Sequence, residues 1–535
     1  MGFFRRICMG DNKGKKVDNK KTDNKVNNKK IDKKVDKKVR SKNNSKKEIA
    51  RIILMYIGFA ICAVQLVLGI VLTVQVKKLN VLPTGLLVVI GVVFTLITVW
   101  LAVMQRWLVP GIVAKVISIM LIVGICLAST YVKATNDALA RMTGITTQID
   151  NVHVYVLKDA MAETIEDAKD YNFGVLESLD RENTDSYVAD IESQLGQTLV
   201  ITEYSDIFTQ ARALYNKDVQ AIILNQAYIG ILTEQEEFAD FVEKTKSIDS
   251  KKIVSEVEET INDEYLYAGE DIFTIYISGI DTTGSPEENH NSDVNILLTA
   301  NLETRQILMI STPRDYYVPL SISNGVNDKL THAGGYGIDV CVDTLAMLYE
   351  VNINDYIKVN FTGFTDIIDE LGGVNVYSDY EFSIEDYHFE QGYNMLNGEE
   401  ALFFARARKS FIDGDRQRGR NQMAVIEAII DKAISTEMLQ NYTEVLDAVA
   451  DSMITSMTQD EITDLVQFQL NDMRGWDVVT YDVNGYDGAG VTYSGGSQEL
   501  YVMIPDEASL EQAREYLRQI YAGQRVVIPE SVPAQ

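Results

Sequence analysis

Residues 272–281 read Ile-Phe-Thr-Ile-Tyr-Ile-Ser-Gly-Ile-Asp, and residues 306–315 read Gln-Ile-Leu-Met-Ile-Ser-Thr-Pro-Arg-Asp. Each stretch begins with a short run of mostly apolar residues, which is typical of a buried strand. Val294 to Ala300 is predicted to form a third strand between them. Helices are predicted to follow at residues 338–349, 361–371, 398–404, 420–434 and 509–521. Strands that lead into helices predict an α/β domain over residues 271–523, with a mostly buried sheet covered on both faces.

A smaller α/β domain is predicted upstream, over residues 151–248. Strands alternating with helices predict a largely parallel sheet, and we interpret this accessory domain as a spacer or a partner-binding domain. Its strands are expected at residues 154–156, 173–176, 199–201 and 221–224, and its first helix at residues 160–168. The flanking segments are a polar stalk at 133–150, a connector at 249–270 that is predicted to be helical over 249–265, and a C-terminal tail at 524–535.

Charge is unevenly distributed along the 535 residues. The chain has 49 Lys and Arg against 77 Asp and Glu, a formal net charge of −28. Residues 1–50 hold 18 basic and 6 acidic residues, a net charge of +12, whereas residues 51–133 hold six basic and no acidic residues. Residues 134–535 carry a net charge of −46. This division excludes a single soluble globule, and the acidic part would repel the phosphate backbone of a nucleic acid.

Three apolar segments separate the two charged regions: Ile52–Val76, Val81–Met104 and Trp107–Tyr131, the last of which contains Lys115. Each is long enough to cross a hydrocarbon core of ~30 Å, which takes about 20 helical residues. Residues 51–132 are therefore predicted to form three transmembrane helices. Buried helices of a soluble protein are the alternative, which the absence of acidic residues disfavours.

The basic segment at residues 1–50 predicts the orientation in the membrane. Its Lys/Asn/Asp composition predicts disorder, and its charge is expected to keep it in the cytoplasm beside anionic lipid. Three crossings then place residue 134 onward outside the cell, although Lys77 and Lys78 fall on the outer side. If the third segment did not cross, the acidic part would face inward. Cys341 is the single cysteine of that part, so no disulfide forms within it, which suits a single-membrane bacterium.

A cluster of basic residues interrupts the acidic C-terminal domain. Residues 404–409 read Phe-Ala-Arg-Ala-Arg-Lys, and residues 414–422 read Gly-Asp-Arg-Gln-Arg-Gly-Arg-Asn-Gln. The five arginines within 15 residues supply planar, paired donors that suit phosphate oxygens. The alternative is a solvated helix face whose arginines pair with nearby acidic residues. The acidic composition of the surrounding domain favours an anionic ligand.

Two acidic residues flank neighbouring predicted strands. Asp281 follows the predicted strand at residues 272–280, and Asp293 precedes the one at residues 294–300. Arg314 follows the predicted strand at residues 306–311. Carboxylates brought together across neighbouring strands suit Mg²⁺, which favours one or two carboxylates together with phosphate oxygens and water. Together these residues predict a site for a pyrophosphate with Mg²⁺. The sequence has no Walker-type phosphate loop and no Gly-x-Ser-x-Gly turn, which disfavours an ATPase or a serine hydrolase of the α/β-hydrolase type.

The C-terminal domain resembles the LytR-CpsA-Psr (LCP) family. The matching stretches occur in order over about 250 residues, and three spans before the outer part also occur in the family. They are residues 279–281, 292–294, 311–315, 328–334, 359–364, 369–374, 396–398, 406–408 and 414–422. The resemblance implies an α/β/α sandwich with a central mixed sheet, and an apolar tunnel for a lipid tail between sheet and helices.

The resemblance also implies a function. Members of the LCP family resemble Mg²⁺-dependent phosphotransferases. These enzymes move a glycopolymer, such as teichoic acid or capsular polysaccharide, from a polyprenyl-pyrophosphate carrier to peptidoglycan. On this chain Asp281 and Asp293 would bind Mg²⁺, and Asp281 or Asp415 would act as general base, with Arg314 and Arg408 as further catalytic residues. The implied pyrophosphate ligands are Arg314, Lys329, Arg406, Arg408, Arg418 and Gln422.

One position departs from the family pattern. The family usually has Arg two residues before the second Asp, where this chain has Asn291. Arg416 or Arg420 is expected to supply the missing charge. The alternatives are a polyprenyl-pyrophosphate pyrophosphatase, in which water replaces the sugar hydroxyl, and a non-catalytic lipid-binding regulator of envelope assembly. A membrane-linked transcription attenuator is disfavoured, because the basic tail contains no helix-turn-helix pattern.

Overall fold

The computed structural model describes residues 22–79, 84–257, 261–266, 269, 271–280, 282, 284–411, 414–435, 450 and 453–529. Side chains are described from residue 45 onward, except at residue 415. The described residues form two compact units, which lie within residues 1–75 with 83–130 and within residues 76–82 with 131–535.

The first unit contains three long helices: all of α2 (Thr84–Met104) and most of α1 (Thr22–Leu79) and α3 (Leu108–Met142). Among the described residues, three helical segments are long and apolar enough to cross a membrane, namely residues 45–79, α2 and α3. Many of their Val, Leu and Ile side chains are exposed, as expected for helices that face lipid. The prediction of a membrane anchor with three helices is confirmed.

Two boundaries of this region differ from the predicted ones. α1 begins at Thr22, inside the segment predicted to be disordered, while residues 1–21 lie outside the described residues. Lysine favours helix, and extending an existing helix requires no new nucleus. α3 continues to Met142 through much of the predicted stalk, because Ala138, Leu139 and Met142 pack into an apolar cluster of the second unit.

The accessory domain belongs to the second unit. Its strands stand in the order β3-β2-β4-β1-β5; β2 is parallel to β3 and β4, and β1 is antiparallel to β4 and β5. The sheet is therefore mixed rather than largely parallel. Its elements are β1 (Thr147–Leu157), β2 (Asn172–Leu176), α4 (Arg181–Leu195), β3 (Val200–Tyr204), α5 (Ile207–Tyr215), β4 (Ala221–Asn225), α6 (Ile229–Thr233), α7 (Phe241–Lys244) and β5 (Thr245–Glu256).

Two predicted helices of this region are wrong. Residues 160–168 form turns, because the Asp167 carboxylate accepts the backbone N–H groups of Glu163 and Thr164 and so competes with helical pairing. The predicted helical connector begins with β5, whose side chains alternate between more and less buried positions. β5 pairs with the whole length of β1, so the accessory domain extends to Glu256.

The C-terminal domain contains a six-stranded sheet in the order β16-β11-β6-β7-β8-β17. The pairs β6–β11 and β8–β17 are parallel, and the other neighbours are antiparallel. The strands of the domain are β6 (Ile272–Ile280), β7 (Ser292–Asn301), β8 (Gln306–Ser311), β9 (Tyr317–Pro319), β10 (Asn327–Lys329), β11 (Asp355–Asn360), β12 (Val374–Ser378), β13 (Phe382–Ile384), β14 (Tyr387–Phe389), β15 (Gly392–Leu396), β16 (Met453–Thr455), β17 (Asp477–Asp482), β18 (Gly485–Val491) and β19 (Glu499–Pro505).

Helices cover both faces of this sheet. On one face Leu308 and Leu345 share an apolar cluster with Leu517, whereas on the other Met309 packs with Met423. Successive residues of a strand point to opposite faces, so β8 is buried on both sides. This confirms the predicted α/β/α sandwich with a mixed sheet. The helices are α8 (Ala333–Tyr336), α9 (Ile338–Tyr349), α10 (Phe361–Glu370), α11 (Gly398–Arg406), α12 (Gly414–Ala433), α13 (Gln459–Asp472) and α14 (Glu507–Tyr521).

Candidate functional site

One edge of the six-stranded sheet brings several predicted site residues together. Strands β6, β8, β11 and β17 end at this edge and β7 begins there, as the pairings of Ile280 with Ser292 and of Ser311 with Asp482 show. Ligands of open α/β sheets bind beyond the carboxyl ends of strands. The sheet topology therefore places the residues after β8 and β17 close to those at the start of β7.

A cleft opens at the β8–β17 part of this edge. Four predicted site residues line it: Asp293, Arg314, Arg418 and Gln422. The other lining residues are Ser311, Thr312, Pro313, Arg416, Gly419, Asp482 and Val483. Among the described residues the cleft thus combines three guanidinium groups with two carboxylates, and the guanidinium groups suit phosphate oxygens.

Arg314 is held between two carboxylates. Its Nη1 donates to Asp293 Oδ1 at 3.0 Å, and its Nε lies 3.5 Å from Asp315 Oδ2. Thr331 supports both groups, since its hydroxyl donates to Asp293 Oδ1 at 3.2 Å and its N–H donates to the Arg314 carbonyl at 2.8 Å. Burial acts to lower the pKa of Arg314, but Asp293 and Asp315 outweigh it and raise the pKa. The guanidinium therefore stays charged at the cleft.

The first two turns of α12 supply the other two arginines of the cleft, Arg416 and Arg418. This helix begins at Gly414 rather than at the predicted residue 420. Gly419 lets it approach β8 closely, since a Cβ there would lie 2.7 Å from Ser311 Oγ. The positive end of the helix dipole therefore lies beside the arginines, and both favour an anion.

Asp482 is a candidate that sequence reasoning missed. It is the last residue of β17 and lines the cleft, where Arg420 Nη1 contacts its Oδ2 at 3.1 Å. Burial raises the pKa of Asp482, although Arg420 and Arg416 act to lower it. The signal was present in residues 478–481, Val-Val-Thr-Tyr, whose β-branched and aromatic side chains are typical of a strand, followed by the carboxylate of Asp482.

Lys329 does not line the cleft. Its side chain is 5% exposed, and its Nζ lies 2.6 Å from Glu234 Oε2 and 3.1 Å from Asp315 Oδ1. Glu234 belongs to the accessory domain and follows α6. Lys329 thus reaches the cleft through Asp315 and Arg314.

His332 lies beside this ion group and is fully buried. Its Nδ1 is 2.6 Å from Asp328 Oδ1, and its Nε2 is 3.5 Å from Glu234 Oε1. Burial acts to lower the pKa of His332, but the two carboxylates raise it to about 9. Burial likewise acts to raise the pKa of Glu234, but His332 and Lys329 lower it to about 2. His332 and Glu234 are therefore both charged near neutral pH.

The remaining predicted arginines, Arg406 and Arg408, are exposed and are not in the lining of this cleft. The Arg406 guanidinium lies 4.6 Å from the centre of the Phe361 ring, and the Phe361 N–H donates to the Thr282 carbonyl at 3.3 Å. Arg406 therefore belongs to the β6–β11 part of the same edge.

The segment before Asp293 is packed from two sides. A Cβ on Gly230 of α6 would lie 3.0 Å from Asn291 Nδ2, and a Cβ on Gly334 of α8 would lie 2.3 Å from the His290 carbonyl oxygen.

Arg416, one of the two arginines expected to compensate for Asn291, lines the cleft.

The magnesium prediction rests on Asp281 and Asp293. Asp281 and the side chain of Asp415 lie outside the described residues. Asp293 places a carboxylate in the cleft beside Arg314. Carboxylate, phosphate and water oxygens are the ligands that Mg²⁺ prefers, so the donor chemistry of Asp293 fits this ion. Among the described residues no group of three or more His, Cys, Asp or Glu could hold a metal.

Comparison with known proteins identifies related chains. Residues 231–515 match a model described as the LytR_cpsA_psr family. The chain is 34% identical over 236 residues to the polyisoprenyl-teichoic acid–peptidoglycan teichoic acid transferase TagU of Bacillus mycoides, which covers 44% of this chain and 74% of that protein. TagU of Halalkalibacterium halodurans is 35% identical over 202 residues, which covers 37% and 65%.

Solved structures are similar over about half of the chain. The crystal structure of B. subtilis TagV is 28% identical, with a TM-score of 0.41, and covers 48% of this chain and 100% of that one. TagT bound to LI-WTA is 28% identical, with a TM-score of 0.38, and covers 48% and 92%.

Proposed function

The chain belongs to the LytR-CpsA-Psr family, and on this premise we propose that it is a membrane-anchored transferase that moves a glycopolymer from a polyprenyl-pyrophosphate carrier to peptidoglycan. The observation that carries the proposal is the cleft at the carboxyl ends of β8 and β17, where arginines collect in an acidic domain. Relatives named as transferases of polyisoprenyl-linked teichoic acid to peptidoglycan support the same donor and acceptor classes. Teichoic acid or a capsular polysaccharide would be the glycopolymer.

In this proposal the pyrophosphate binds the guanidinium groups of Arg314, Arg416 and Arg418 and the side-chain amide of Gln422. A hydroxyl oxygen of peptidoglycan attacks the phosphorus that carries the glycan and forms the new O–P bond. The bond from that phosphorus to the bridging oxygen breaks, and polyprenyl phosphate leaves. The arginines stabilise the charge on the phosphate oxygens, so catalysis is mainly positioning and electrostatics.

We assign removal of the hydroxyl proton to Asp482. Burial keeps its pKa above the ordinary value, which makes it a better proton acceptor than an exposed carboxylate. Asp281 and Asp293 would hold Mg²⁺, and the ion would offset negative charge on the pyrophosphate. In the proposed orientation residues 1–50 are cytoplasmic and the acidic domain lies outside the cell.

The proposal is tested with the full chain in detergent and a radiolabelled polyprenyl-pyrophosphate glycan. We expect label to appear on peptidoglycan only when both peptidoglycan and Mg²⁺ are present, and chelation to stop the transfer. Release of free glycan phosphate at the same rate without peptidoglycan would instead identify a pyrophosphatase. Retained lipid binding without any turnover would identify a regulator. Mass spectrometry of lipid that co-purifies with the chain tests the ligand class separately.

Replacing Asp482 by asparagine is expected to lower kcat about 100-fold, because general bases contribute on the order of 10²–10⁴. The acid limb of the pH–rate profile should also disappear. Asp477→Asn is the matched control, since Asp477 lies at the opposite end of the same strand and also pairs with an arginine, Arg525, at 2.8 Å. Equal rates in the two variants would remove Asp482 from the mechanism.

A further inference from the structure

The accessory domain contributes a charged residue to the support of the cleft. Glu234 follows α6 and its side chain is 20% exposed, and its partner Lys329 is 5% exposed. The two side chains meet at 2.6 Å across 95 residues of sequence. A lysine this deeply buried needs compensating carboxylates, because an unpaired buried charge is strongly destabilising. The accessory domain is therefore more than a spacer at this point.

The contact continues from Lys329 into the cleft. Lys329 Nζ lies 3.1 Å from Asp315 Oδ1, while Asp315 Oδ2 lies 3.5 Å from Arg314 Nε. Arg314 Nη1 then donates to Asp293 Oδ1 at 3.0 Å. Charges of alternating sign thus connect Glu234 to the two cleft residues Arg314 and Asp293. Asp315 is shared, because it faces the ammonium with one oxygen and the guanidinium with the other.

Glu234 is also fixed on its own side. His332 Nε2 lies 3.5 Å from its second carboxylate oxygen, and His332 is anchored to Asp328 at 2.6 Å. The preceding helix, α6, packs through Gly230 on Asn291, two residues before Asp293. The accessory domain therefore approaches the cleft residues at two places, one ionic and one steric.

We infer that Glu234 is a positioning residue of the transferase: by holding Lys329, it sets the place of Asp315 and thereby the orientation of the Arg314 guanidinium toward the pyrophosphate. The inference rests on the proposed function. If Glu234 lost its charge, Lys329 would keep Asp315 as its remaining carboxylate partner in this group. Asp315 would then be drawn toward the ammonium and away from Arg314. Displacements of about 1 Å at a reacting centre cost on the order of 100-fold in rate.

The experiment compares Glu234→Gln with Glu237→Gln in the full chain. Glu237 is the matched control, because it lies three residues away and pairs with Arg212 at 2.6 Å inside the accessory domain. We expect Glu234→Gln to lower kcat about tenfold and to weaken the binding of inorganic pyrophosphate about tenfold, measured by calorimetry. Glu237→Gln should change neither quantity, and Glu234→Asp should recover part of both.

A double-mutant cycle separates positioning from a loosened domain junction. If Glu234 acts through Arg314, then Glu234→Gln should cost little more in a chain that already carries Arg314→Lys. Effects that multiply independently would overturn the inference, as would equal pyrophosphate affinities in Glu234→Gln and the wild type.

The measurements also distinguish failure of the proposed function and misfolding of the variant from failure of the inference. If the wild type transfers no glycan, the proposed function fails, and the pyrophosphate affinities still decide the role of Glu234. If Glu234→Gln does not fold, the pair Glu234→Gln with Lys329→Gln avoids leaving a lone buried ammonium. This pair is expected to bind pyrophosphate about tenfold more weakly, and wild-type affinity in it would contradict the inference.

Discussion

Arg314→Lys is expected to lower kcat/KM for glycan transfer by about 100-fold, while the protein stays folded. Arg314 uses separate nitrogens to contact Asp293 and Asp315, so its planar fork is oriented at the cleft. A lysine keeps the charge but offers one compact ammonium, which cannot hold the same two carboxylates and also grip a phosphate. Complete removal of a transition-state arginine costs on the order of 10³–10⁵ in comparable phosphoryl transfers, so Arg314→Ala should be more severe.

The control for this prediction is Arg525→Lys. Arg525 also pairs with an aspartate, since its Nη1 lies 2.8 Å from Asp477 Oδ2, but it is 59% exposed and lies outside the cleft. Steady-state transfer rates and circular dichroism of both variants give the comparison. Wild-type turnover in a folded Arg314→Lys variant would exclude the cleft as the transfer site.

The second large effect concerns stability and its dependence on pH. His332 has its pKa raised from 6.5 to about 9 by Asp328 and Glu234, which outweigh burial. A basic group whose pKa is raised by folding makes its full contribution to the stability of the folded state at pH values below its ordinary pKa. That contribution is lost as the pH rises through the raised value. We therefore expect the wild type to lose on the order of 3 kcal/mol of unfolding free energy between pH 6.5 and 9 from this group.

His332→Gln should remove this pH dependence and lower stability near pH 6.5 by a similar amount. His388→Gln is the control, because His388 is 55% exposed and lies 3.6 Å from Glu381. Thermal unfolding of the full chain in detergent, followed by near-ultraviolet circular dichroism, measures both variants at pH 6.5 and pH 9. An unchanged difference between the two pH values in His332→Gln would show that the histidine is not the titrating group.

Glu234 determines how the stability of the folded state depends on pH on the acid side. Burial acts to raise its pKa, but His332 and Lys329 lower it from 4.5 to about 2. A carboxylate whose pKa is lowered stabilises the fold above its ordinary value, and this contribution is lost as the pH falls toward 2. The ion group is therefore expected to stabilise the second unit most between about pH 4.5 and 6.5.

Local patterns carried much of the fold. The apolar segments identified the membrane helices, and short Val- and Ile-rich runs identified the strands of the six-stranded sheet except β16 and β17 and the partly polar β11. The prediction failed where a local sequence pattern was compatible with two types of secondary structure. Residues 249–256 carry enough charge for an exposed helix, yet pairing with β1 makes them a strand. Residues 160–168 look helical, yet Asp167 closes a turn.

The candidate site divides in the same way. Arg314, Arg418, Gln422 and Asp293 were chosen from residue type and position, and the structure brings them to one cleft. Lys329 was chosen in the same way, but it lies in an ion group beside the cleft. Asp482 was missed, because the parallel pairing of β17 with β8 joins segments that are more than 150 residues apart.

The amino-acid sequence alone therefore determined the membrane anchor, the acidic outer region with its arginine cluster, and the α/β class, because all of these depend on composition and short-range periodicity. Only the tertiary structure decided which charges meet. Glu234 and Lys329 are 95 residues apart, and no periodic pattern relates two positions in different domains. Their contact depends on how the accessory domain packs on the C-terminal domain. The buried ammonium of Lys329 requires a nearby carboxylate, and Glu234 supplies one from the other domain.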